Sequence, residues 1–127
     1  MRLNQTTIEA LRPWFPSLAL DNVKIVTNGP VCWYVRNVAK QGAMTISPFI
    51  FYGRDQLDPE QPSSMALLAH ELKHVEQYRT MGHVAFLAKY LRDLAKNRFK
   101  YAHDLPLEAP AYALQHEVRE ALQGNKH

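Results

Sequence analysis

From Met65 to Met81 the chain reads MALLAHELKHVEQYRTM, with Leu67, Leu68, Leu72 and Val75 at the spacing of one helix face and Lys73 and Glu76 on the other. The pattern predicts a half-buried helix that Ser63 or Ser64 can cap and that Gly82 stops. A second helix is expected from His83 to Phe99, burying Val84, Phe86, Leu87, Tyr90, Leu91 and Leu94. A third starts near Pro106 and runs to about Leu122, with Pro110 in its first turn, where a missing N–H costs little.

The first half of the chain has a different rhythm. VKIVT, VCWYV, AMTIS and PFIFY are short β-rich runs broken by turn signals such as NGP, and residues 22–53 read as a small sheet with antiparallel hairpins. The polar, proline-bearing GRDQLDPEQPSS links sheet to helix. Ahead of the sheet, Thr6 or Thr7 can cap a short helix through IEALRPWF, which Pro13 and Pro16 close and which we read as a lid or strap. Trp14, Trp33, Phe49, Phe51, Phe86 and Phe99 are most simply core residues. The expected fold class is therefore α+β: a small N-terminal antiparallel or mixed sheet followed by three main helices, with residues 1–127 forming one domain.

Composition narrows the class of function. Apolar residues make up 46% and charged residues 21% of the chain, which excludes a disordered or collagen-like chain. A single cysteine, Cys32, excludes an internal disulfide. The amino-terminal MRLNQTTIEALRPWF has no uninterrupted apolar stretch of signal-peptide type, and no run approaches the length of a membrane span. A cytoplasmic location is expected, with export that needs no signal peptide still open. The net charge of +3 gathers at Lys89, Arg92 and Lys96, but Asp93 interrupts that face and no aromatic platform accompanies it. A nucleic-acid partner is not expected.

The long helix also carries chemistry. His70-Glu71-Leu72-Lys73-His74 is an HExxH. On a helix, residues i and i+4 stand roughly 5–6 Å apart, so both imidazoles can close on one zinc ion. Glu71 points off that line, where it can act as general base toward the water that zinc activates. Two histidines lining a core helix is the blander reading, and a pattern this short arises by chance in about one chain in a few hundred. The cap, the stop and the apolar face favour the metal.

Catalytic zinc takes three protein ligands and keeps one place free. The metzincin pattern is excluded, because Gln77 and Thr80 stand where its glycine and third histidine belong. His83, just past the helix stop, is a minor candidate.

Farther on, Glu108-Ala109-Pro110-Ala111-Tyr112 reads ExxAY, 34 residues (108 − 74) beyond His74. With the HExxH, it makes the chain resemble the gluzincin metallopeptidases, in which a downstream helix supplies a glutamate as third zinc ligand. The chain looks most like the stand-alone minimal gluzincins and the small zincin domains whose helix reads HExxHxxQ, which His70 to Gln77 matches. The resemblance spans about Ala43 to Leu122 and implies a zincin-like fold, zinc held by His70, His74 and Glu108, and Glu71 as catalytic base. It implies a peptide or protein substrate, held by strand addition to an edge strand within Ala43 to Tyr52. Ala111, one turn after Glu108, is small enough to let the two helices approach closely. Tyr112 departs from the family, which usually has an aspartate there to orient a zinc-binding histidine. Tyr112 and His103, with Tyr101 and His116 behind them, are candidates for that role or for stabilising the transition state. The other class of function is a zinc-stabilised, catalytically weak binding domain in a protein assembly; the intact Glu71 favours the enzyme.

Overall fold

The computed structural model describes residues 2–38, 42–53, 58, 61–98 and 105–124. Helix α1 (Gln5–Leu11) opens the chain, capped by Asn4, whose side chain accepts from the Thr7 amide; Thr7 itself is buried inside the helix rather than capping it. Strand β1 (Lys24–Val26), helix α2 (Pro30–Asn37), strands β2 (Ala43–Ile46) and β3 (Phe49–Tyr52), and helices α3 (Pro62–Met81), α4 (His83–Lys96) and α5 (Glu108–Gly124) follow in order. This is an α+β fold, as the sequence predicts.

The sheet is mixed, in the order β1-β3-β2. β3 runs parallel to β1, with Ile50 opposite Ile25, and antiparallel to β2, with Ile50 opposite Thr45. Parallel pairing needs a crossover. α2 supplies part of it, which corrects the expectation of a strand at VCWYV. Pro30 sits in the first turn of the helix, and Gly29 ahead of it, at φ 103°, takes a backbone conformation that favours glycine. Cys32 and Val35, three apart, are buried, whereas Trp33 is 61% exposed. The burial period is helical although the residue types are those of strands.

α1 and its continuation are core, not a lid: Leu11, Phe15 and Leu20 are completely buried beside Ile25, Ile50, Leu68 and Leu72. α3 packs along α5, where Ala111 and Val118 have no exposed surface, and β2 lies beside α3. The close approach expected at Ala111 is thus present.

The outer helix fits less well with the predicted stripe. Phe86 is buried, but Val84, Leu87 and Leu91 are exposed, and Asp93 is drawn inward, paired with Lys89 at 3.2 Å. Phe49 is also at the surface, and Phe99 lies outside the described residues. No described helix is long and apolar enough to cross a membrane.

Candidate metal centre

Two helices build the site. α3 turns His70 and His74 toward α5, and α5 begins with Glu108, whose backbone N–H is held by the Leu105 carbonyl at 2.8 Å. All three side chains are buried. Glu108 Oε1 stands 3.2 Å from His70 Nε2 and 2.9 Å from His74 Nε2. The three ligand atoms lie within 4.8 Å of one another.

The outer nitrogens decide what those inner ones can do. Gln77 donates from Nε2 to the Leu107 carbonyl at 3.1 Å, so its Oε1, 2.9 Å from His74 Nδ1, must accept. His74 therefore holds a proton on Nδ1, and only when the ring is neutral does its Nε2 present a lone pair to Glu108. His70 Nδ1 is placed in the same way, 2.8 Å from Gln115 Oε1. Two nitrogen lone pairs and a carboxylate oxygen converging on one point repel unless a cation lies between them. Tetrahedral ligands at about 2.0–2.1 Å from a zinc ion stand about 3.3 Å from each other, so the spacing needs little change to accept one. The donor set suits a metal ion; without one, protons must fill the role.

The charges show the same strain. Burial works to lower the His74 pKa, yet hydrogen bonding to Glu108 and the charges of Glu71 and Glu108 raise it above the ordinary value. For Glu108 burial pushes upward, but hydrogen bonds from His70 and His74 outweigh it and hold the carboxyl far below the usual range. Glu71 is raised, chiefly because burial penalises its charge.

Glu71 lies beside the cluster, its Oε2 3.9 Å from His70 Nε2. Its Oε1 accepts from the Thr45 hydroxyl on β2 at 2.9 Å, so the strand positions this carboxylate. A cleft of about 700 Å³ opens over these groups, walled by β2 on one side and by α4 on the other.

The structure brings His70, Glu71, His74 and Glu108 together, and the other sequence candidates sort cleanly. His83 is exposed and its ring faces the Ser47 carbonyl at 2.8 Å, away from the cluster. His116 is exposed on α5, 3.0 Å from Glu120. His103 and Tyr101 lie outside the described residues. Tyr112 lines the cleft and meets the His70 ring edge-on, centroids 4.4 Å apart. The orienting contact to His70 Nδ1 falls instead to Gln115, one turn later. Glu108, Ala111, Tyr112 and Gln115 share one helix face, a spacing that points to Gln115 from sequence alone. Thr45 and Tyr90, whose hydroxyl donates to Glu108 Oε2 at 2.8 Å, are far away in sequence and leave no such signal.

Fold and cluster together define a small α+β domain with a buried His-His-Glu group able to hold a metal ion. The eCIS core domain family matches residues 2–82, more than half of the chain, and the chain belongs to that family. The match takes in β1 through α3, with His70, Glu71, His74 and Gln77, and ends before Glu108. The third carboxylate is thus a finding of the geometry alone, and the gluzincin likeness rests on motif and cluster, not on family membership. Neither curated proteins nor solved structures give a match.

Proposed function

We propose that this domain is a zinc-dependent metallopeptidase. The observation that carries the reading is the convergence of His70 Nε2, His74 Nε2 and Glu108 Oε1 with the Glu71 carboxylate beside them, under a cleft bordered by β2. Zinc suits the two-nitrogen, one-carboxylate set and, when bound, supplies a water of near-neutral pKa and polarises a carbonyl. Glu71, beside the cluster, takes the proton from the attacking water and passes it to the leaving amine. Thr45 holds Glu71 in place for both transfers. Gln77 and Gln115 fix the ring orientation of the two histidines.

β2 is at the edge of the sheet, paired among the described strands with β3 only, so an extended peptide can add to it as a further strand. That supports a peptide or protein substrate. Tyr112, in the cleft wall, is the candidate donor to the oxyanion that forms during attack.

A second reading follows from the family's connection with extracellular contractile injection systems: a zinc-stabilised domain that serves a protein assembly and hydrolyses little. The exposed Trp33 and Tyr34 on α2 and Val84, Leu87 and Leu91 on α4 favour a protein contact. One experiment separates the two. Zinc-loaded protein is incubated with an unfolded protein and the mixture is read by mass spectrometry. Chelator-sensitive cleavage supports the peptidase. A fully loaded protein that cuts nothing favours the assembly domain.

A further inference from the structure

Glu108 uses its two oxygens differently. Oε1 faces both histidine nitrogens, and Oε2 accepts from the Tyr90 hydroxyl at 2.8 Å. Tyr90 is not free to give up that contact easily. Its ring is stacked on Phe86 at 6.1 Å and 21°, and Phe86 lies on Tyr78 at 3.8 Å and 24°. This column of three rings ties α4 to α3 and brings the hydroxyl to the start of α5. The acceptor is a carboxylate, so the hydrogen bond is charge-assisted, the stronger kind.

A carboxylate can bind a metal through one oxygen or two. With both, Glu108 would occupy one more coordination position, in a site whose chemistry needs a place for water or substrate. We infer that Tyr90 is a positioning residue that restricts Glu108 to one-oxygen ligation and so preserves the open position. The inference rests on the assignment of His70, His74 and Glu108 as metal ligands, and on nothing about the substrate.

The test compares wild type with Tyr90→Phe, which keeps the ring column and removes only the donor. Zinc affinity is measured by competition with a chromophoric chelator, and geometry by the visible spectrum after loading with Co²⁺. Four-coordinate Co²⁺ absorbs more strongly than five-coordinate Co²⁺. Tyr90→Phe is expected to bind zinc about tenfold to a hundredfold more weakly, with weaker Co²⁺ absorption than wild type. Weaker binding with an unchanged spectrum would report only a general loss of packing and overturns the inference. Wild-type affinity and an unchanged spectrum in the variant overturn the inference while leaving the metal site intact. No metal bound by wild type overturns the ligand assignment itself. Should the variant not fold, X-ray absorption on zinc-loaded wild type decides: a four-coordinate ion without a two-oxygen carboxylate supports Tyr90's role, and a two-oxygen Glu108 ends it.

Discussion

Gln77 connects His74 to the carbonyl of Leu107, the residue just before Glu108, accepting from the one and donating to the other. A single amide thereby sets the orientation of one prospective ligand and the position of another. It lies three residues beyond His74, one turn farther along α3, which gives the last position of HExxHxxQ a physical reason: the residue must be long, and must both donate and accept. Gln77→Glu loses the donor to Leu107; Gln77→Leu loses both contacts. Zinc affinity should fall about tenfold to a hundredfold in Gln77→Leu by chelator competition, with the melting temperature of metal-free protein changing little. An unaltered affinity would deny Gln77 this role.

Elemental analysis of protein purified without an affinity tag tests the ligand set. About one zinc per chain is expected in wild type and in His83→Ala, whose ring faces Ser47 rather than the cluster. His70→Ala, His74→Ala and Glu108→Ala should each lose it. Zinc retained by Glu108→Ala would remove that residue from the site.

Glu71→Gln should keep zinc and lose activity by a factor of at least about 100, since the amide fits the same space but accepts no proton. Peptide hydrolysis and zinc content measured on the same sample check both halves. Activity kept by the variant would take the general base away from Glu71.

Thr45→Val removes the hydroxyl that stabilises the charged form of Glu71. The Glu71 pKa should rise further, moving the acid limb of the activity profile to higher pH, with zinc retained. A profile that does not move would mean that the titrating base is another group.

Metal-free and metal-loaded protein should respond to pH in opposite directions. His74 and Glu71 both have raised values when folded, so the stability they contribute is complete below their ordinary values of 6.5 and 4.5 and is lost as pH climbs through the raised ones. Glu108, held low, contributes above 4.5 and loses its contribution only as pH falls toward its depressed value. Metal-free protein should therefore melt at lower temperature as pH rises through neutrality. Zinc competes with protons for the same nitrogens, so added zinc should stabilise more as pH rises. Thermal melts across that range, with and without zinc, give the two slopes; parallel slopes would mean that zinc does not use these groups.

The α3 helix was legible in sequence because a regular apolar period, a glycine stop and a motif coincide in one local stretch; Glu108 followed only through the gluzincin resemblance. Elsewhere local signals conflicted. VCWYV has strand-like residues, but Gly29-Pro30 starts a helix and the tertiary environment buries Cys32 and Val35 on its face. In α4, Leu87 and Leu91 looked like core, yet the fold places them on the rim, because a single helix in sequence does not reveal what covers it. Thr45, Tyr90 and Gln115 reach the site from a strand and two helices, and only Gln115 follows a local period. Contacts of that kind are set by the packing of distant segments, which is absent from any window of sequence.

Ala111 is completely buried where α5 passes α3, and it lies one turn from Glu108. The methyl group therefore acts as a spacer gauge for the candidate site: a larger side chain in this filled space would press α5, and Glu108 with it, away from both imidazoles. Natural relatives could detune or abolish metal binding here with every ligand still in place, so an intact HExxH and glutamate are not enough to tell a working centre from a silenced one.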